Sequence, residues 1–197
     1  MALSESQGKQ IIGVSGTNTR NGTLKADELQ AELRGKRAIR KYREMRDNDA
    51  TIGASLYAVE QMLRDVPFKI EPADDTDAAN AKAEFLESIL EDMDHTLDDH
   101  ISEAISYLTF GFAAFEVVYK RRVGPYQTSP KKRSKYTDGH IGIRKLASRA
   151  QWTINRFEVE DQSGETLGFY QDVTAGLGSN YIPMTKSILY RLSLIHI

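Results

Sequence analysis

The stretch from Ser106 to Arg122, SYLTFGFAAFEVVYKRR, decides the fold. It reads as the last turn of a buried helix, a glycine break and then a long strand. Gly111 is the hinge, because a residue without Cβ leaves a helix at positive φ at no steric cost. Beyond it, alternation sends Phe112, Ala114, Glu116 and Val118 to one face of a sheet and Ala113, Phe115, Val117 and Tyr119 to the other. Both faces are mostly apolar, which predicts a central strand covered on two sides, with Glu116 the awkward position. The strand is expected to end where Lys120, Arg121 and Arg122 reach water.

Working outward, the chain before this stretch reads as helical and the chain after it as short strands and loops. The periodicity predicts helices near 24–47, 51–66, 77–94 and 97–109. In the second of these, Ile52, Leu56, Val59, Met62, Leu63 and Val66 follow the three/four spacing of a buried face. Pro67 ends that helix, and Phe68–Glu71 alternates as a short strand. Thr96 is a good N-cap, with Asp99 at the capping-box position. Antiparallel strands are predicted near 112–121, 141–147, 154–160 and 166–171, with a last one at Ser187–Arg191 and a glycine-containing loop at 172–180. Glu160–Glu165 carries a hairpin-turn signal. The fold class is therefore α+β, N-terminal helices followed by a mainly antiparallel sheet. The expected core is Leu56, Val59, Leu63, Phe85, Ile89, Ile105, Leu108, Phe115 and Val117, and Leu63→Ala or Ile105→Ala is expected to cost ~2–5 kcal/mol.

The 197 residues suit one domain plus a tail, and 40% hydrophobic with 27% charged residues is ordinary for a globular chain. With no cysteine, disulfides, thiolate metal sites and cysteine nucleophiles are excluded. No run of eighteen apolar residues is present, so no membrane span or membrane partner is expected. Residues 1–23 are polar and glycine-dotted, which reads as a flexible N-terminal arm.

The net charge of −2 conceals an asymmetry. Between Glu71 and Thr109 there are twelve acids and one base, and between Val117 and Phe157 eleven bases and one acid. Such opposite fields are either two solvated faces or surfaces for association with a neighbour or a polyanion.

The search for chemistry yields little. The four histidines, at 95, 100, 140 and 196, form no i,i+4 pair, and His95 and His100 read as exposed residues of an acidic helical hairpin. The segment Ala175–Ser179 lacks the strand, the third glycine and the helix of a phosphate loop. Asp74, Asp75 and Asp77 are explained by a turn and a helix N-cap. Glu116 is expected to meet an arginine or an edge. No catalytic residue, cofactor-binding residue or metal ligand is assigned, and the chain is not expected to be an enzyme. What stands out is the basic cluster Lys131, Lys132, Arg133 and Lys135 between Tyr126 and Tyr136, a candidate contact for phosphates or for a neighbouring subunit.

The order of features resembles the portal proteins of tailed bacteriophages. The residues carrying the resemblance are Tyr42–Asp49, the helix to Val66 leading into Pro67–Pro72, and Tyr107–Tyr119. Ile143–Leu146, the Phe157–Gln171 hairpin, Tyr181–Pro183 and Ile188–Tyr190 complete it. In such portals these pieces form the wing, so the resemblance implies a wing-like α+β domain over 24–191. It further implies a homo-oligomeric ring, a dodecamer in the full-length protein, at one capsid vertex of the virion, assembled in the host cytoplasm. The implied partners are terminase, head and scaffold proteins, and the double-stranded DNA that passes through the channel. Portals are usually more than twice this length, so stem and clip are expected to be absent here. Residues 192–197 are expected to be a non-native read-through tail. The alternative function is a nucleic-acid-binding module that uses the basic loop 120–135 directly.

Overall fold

The computed structural model describes residues 19–20, 23–24, 29–161, 163–172 and 178–191. The expectations for residues 1–18 and 192–197 lie outside that set. Strands β1 (Thr19–Arg20) and β2 (Thr23–Leu24) pair as a small antiparallel hairpin. The predicted helix from Leu24 is replaced by a 3-10 turn at Ala31–Leu33 and helix α1 at Gly35–Asn48. The break falls at Gly35, whose φ of +54° is left-handed and cannot continue a right-handed helix from the residues before it.

Asp49 then caps α2 (Ala50–Arg64), accepting the Thr51 and Ile52 amides at 2.8 and 3.1 Å. Thr76 caps α3 (Asp77–Glu91), and Asp74 accepts the Thr76 amide, so this acidic cluster is a helix-entry turn. Thr96 and Asp99 form both halves of a capping box at the start of α4 (Leu97–Ala104). A short α5 (Tyr107–Phe110) ends at Gly111 with φ +80°, the left-handed hinge that the sequence required. The predicted 97–109 helix is thus two pieces, and Phe68–Glu71 is not a strand.

The remaining strands are β3 (Phe112–Arg121), β4 (Ile141–Arg149), β5 (Ile154–Val159), β6 (Thr166–Asp172), β7 (Ser179–Pro183) and β8 (Ser187–Arg191). They form two antiparallel three-stranded sheets, ordered β4-β3-β8 and β5-β6-β7. The β7 strand occupies part of the predicted 172–180 loop and the residues after it. As expected of a central strand, β3 is covered on both faces. Phe112 and Ala114 pack with Ile39 of α1 and with Ile154, Phe157, Phe169 and Ile182 of the second sheet. Ala113 and Phe115 pack with Ala104 of α4 and with Leu146. Glu116 pairs with Arg149 on the adjacent strand, the arginine partner anticipated.

The core expectations divide by element. Ile89, Ile105 and Phe115 are buried, and Leu56, Phe85, Leu108 and Val117 are half-buried. Val59 and Leu63 are exposed, and α2 contains no buried residue at all. The helix is amphipathic as read, but within one chain only part of its apolar face meets α4 and α1.

Candidate functional site

The strand β3 does not end in water. The β3–β4 register shifts between Val118 and Tyr119, with Arg144 the extra residue on β4. Lys120 and Arg122 project toward the end of α3 and are buried. Lys120 Nζ lies 3.2 Å from the Asp92 carboxylate and donates to the carbonyls of Asp92 and Arg133. The same carboxylate accepts the Ser134 hydroxyl and the Lys135 amide, each at 2.7 Å. Burial pushes the Asp92 carboxyl up, but these hydrogen bonds and the Lys120 charge outweigh it and hold the group below its ordinary range.

Arg122 is enclosed more completely. Its guanidinium lies 4.0 Å from the Tyr136 ring and 5.1 Å from the Phe85 ring, donates to Ser88 Oγ at 2.8 Å, and pairs with Asp138 at 3.0 Å. The Tyr136 hydroxyl donates to Glu91, Lys135 Nζ donates to the Glu91 carbonyl, and Arg144 pairs with Asp94. The acidic and basic segments therefore meet largely within one chain. Their opposite charges fasten the 123–140 loop onto α3 and so are only partly free for a partner.

This arrangement sorts the four candidate residues. Lys131 and Lys132 sit exposed on a 3-10 turn, Pro130–Lys132, with no side-chain partner among the described residues. Arg133 is exposed but donates from Nε to the Gln127 carbonyl at 3.1 Å. Lys135 is turned back onto α3. Tyr126, beside them, is 97% exposed.

A second surface was not foreseen. A groove of about 430 Å³ is lined by Leu63, Val66 and Phe68 on one side and by Ile101, Ile105 and Tyr107 on another. Phe68 in its wall is 62% exposed, and Met62, next to Leu63 in the chain, is 72% exposed. The signal for it was the amphipathic α2 pattern, which the sequence reading assigned to the core.

Beneath the groove lies His100, which the sequence reading placed at the surface. It is buried because α4 turns it inward onto the Phe115 ring, 4.4 Å away, with Nε2 2.9 Å from the Tyr190 hydroxyl. Burial first, and the neighbouring His95 second, depress its pKa to about 4. A histidine held neutral in the fold stabilises it fully above the unfolded-state pKa near 6.5, and that contribution is lost as pH falls toward 4. Between pH 7 and pH 5 the wild type should lose on the order of 2 kcal/mol more than His100→Phe. Urea unfolding at both pH values measures this, and equal losses would contradict the assignment.

Among the described residues, no group of three or more histidine, aspartate or glutamate side chains is placed to hold a metal ion. No described helix is long and apolar enough to cross a membrane. What the molecule presents is an anchored charged loop and an apolar groove on a two-sheet scaffold. A family model described as the portal protein of Mu bacteriophage matches residues 39–194, from within α1 to just past β8. The chain belongs to that family of phage portal proteins. No curated protein matches it.

Proposed function

We propose that this chain is a structural, non-catalytic subunit of a homo-oligomeric portal ring at the capsid vertex of a virion. Double-stranded DNA is packaged and ejected through the ring, and terminase and head proteins dock on it. The observation that carries this reading is the portal-family match across both sheets and most of the helical layer. The bare apolar face of α2 supports it, because a helix patterned for burial and left uncovered in one subunit suits a chain that is completed by neighbours. On this reading the 24–191 region is a wing-like domain, and assembly takes place in the host cytoplasm.

A second reading, direct nucleic-acid binding through the 120–135 loop, draws on the exposed Lys131, Lys132 and Arg133 beside Tyr126. Against it, Lys120, Arg122 and Lys135 are committed to the end of α3, and Glu91, Asp92 and Asp138 lie at the loop base. Titration against one DNA duplex at two salt concentrations separates the two. The portal reading expects non-specific affinity, ~10⁻⁴–10⁻⁶ M at physiological salt, little changed when Lys131, Lys132, Arg133 and Lys135 are all neutralised. Sub-micromolar binding that vanishes in the quadruple variant would favour the nucleic-acid module.

A further inference from the structure

The 123–140 loop carries an exposed aromatic side chain beside unpaired cations, and the α2 groove is apolar with exposed carboxylates close by in the chain. The loop tip carries an aromatic side chain, Tyr126, that is 97% exposed and unsupported by its own fold. It is nevertheless held in place. The Gly124 amide donates to the Tyr136 carbonyl at 2.9 Å, the Ser134 amide to the Gly124 carbonyl at 3.2 Å, and the base is clamped by Asp92. A pre-ordered tip that carries a tyrosine has the character of a binding anchor, because little ordering entropy remains to be lost.

The groove offers what such an anchor needs. Its volume of about 430 Å³ exceeds that of one aromatic side chain, and its walls are Leu63, Val66, Phe68, Ile101, Ile105 and Tyr107. A tyrosine buried there removes roughly 150–250 Å² from water. Asp65, Asp98 and Glu103, within three residues of those walls, are exposed carboxylates without an ion-pair partner among the described residues. Of the arginines near it in the chain, Arg191 donates to Thr166 Oγ1, and the charge of Arg64 adds to the Thr96 hydrogen bonds that lower the Asp99 carboxyl pKa. Lys131 and Lys132, beside Tyr126, are the unpaired cations that match.

One chain cannot make this contact with itself. The groove is walled by Tyr107, Tyr190 and Arg191, and the last two pair with Ala113 and Phe112 at the start of β3. The loop leaves the other end of that strand after Arg121. Ten residues of strand separate the two by roughly 30 Å. A surface at one end that fits a different surface at the other end is a heterologous interface, the kind that closes into a ring.

We propose that the Tyr126 loop of one copy docks in the Leu63–Phe68 groove of the next, with Lys131 and Lys132 against the acidic rim. This inference rests on the ring reading and assigns its subunit contact. The chain lacks cysteine, so introduced thiols report without background. Thr128 and Lys69 are exposed and lie close in the chain to Tyr126 and Phe68, so thiols placed there keep both the anchor and the groove wall. The full chain carrying Thr128→Cys and Lys69→Cys together, oxidised mildly, should give a ladder of dimers, trimers and larger species. Each single variant should stop at a dimer of low yield. An internal bridge is out of reach, because a disulfide needs Cα atoms within about 7 Å. Adding Lys131→Glu and Lys132→Glu should lower the ladder yield about tenfold, since like charges then face each other. Absence of the ladder while the unaltered chain still associates in sedimentation would overturn this contact and leave the ring reading standing. An unaltered chain that stays monomeric, together with a double-cysteine variant that forms no ladder, would overturn both.

Discussion

Asp92→Ala is expected to lower the stability of the chain by about 3–5 kcal/mol, because it leaves the Lys120 ammonium buried without a counter-charge. Lys120 would keep only the Asp92 and Arg133 carbonyls, and the second of these belongs to the loop that the mutation loosens. The Ser134 hydroxyl and the Lys135 amide lose their acceptor in the same step. The double variant Asp92→Ala/Lys120→Met should recover much of the loss, since an apolar side chain of similar length tolerates a site that an unpaired charge does not. Urea unfolding of the three proteins measures the cycle. A single-variant loss below about 1 kcal/mol, the range of exposed ion pairs, would show that the site is wet. The depressed carboxyl pKa fixes the pH sign. The stabilisation is present above the ordinary aspartate range and disappears as pH falls through the lower folded-state value.

Phe115→Ala should cost about 3–5 kcal/mol by opening a cavity where the surroundings cannot collapse. Phe115 is fully buried, with Ala104, Ala113 and Leu146 around it, the His100 ring 4.4 Å from its own and the Tyr190 ring 5.9 Å away. These neighbours belong to four different elements, so no single movement refills the space. Leu63→Ala is the natural comparison. At 37% exposure, Leu63 gives up little transfer energy in the isolated chain, and its loss should stay within about 1 kcal/mol. Equal costs at the two positions, read from denaturant midpoints, would mean that the α2 face is covered after all.

The central strand was legible because its signals are local. Gly111 permits the turn, and the alternating apolar residues that follow leave no other partner than a sheet covered on both sides. The capping box at Thr96 and Asp99 and the strands β4, β5, β6 and β8 were legible for the same reason, whereas β7 was read as loop. Ile154 and Phe157, three residues apart, do not fit one face of a regular strand, and the register shift between Ile154 and Arg156 lets both reach the core together with Val159. Lys120 and Arg122 turn in to the end of α3, although a preference for water had placed them outside.

Burial of charge was the part hidden from the sequence. Whether Arg122 reaches water depends on Ser88, Tyr136 and Asp138, which come from separate places in the chain. His100 is hidden in the same way, by Phe115 and Tyr190. The candidate basic cluster was legible as a cluster, but its division into an outward Lys131–Lys132 tip and an inward Lys135 follows from the Asp92 clamp and the Glu91 carbonyl that accepts Lys135 Nζ. Conversely, the α2 pattern was read correctly as an apolar face. What that pattern cannot specify is whether the covering surface comes from the same chain or from another.

That last question is the centre of the account, and sedimentation velocity of the full chain over a concentration series, without DNA, addresses it most directly. A portal-ring subunit with a head-to-tail contact should associate beyond the dimer as concentration rises, toward a closed oligomer. A chain that remains monomeric throughout, or that stops at a symmetric dimer, would contradict it.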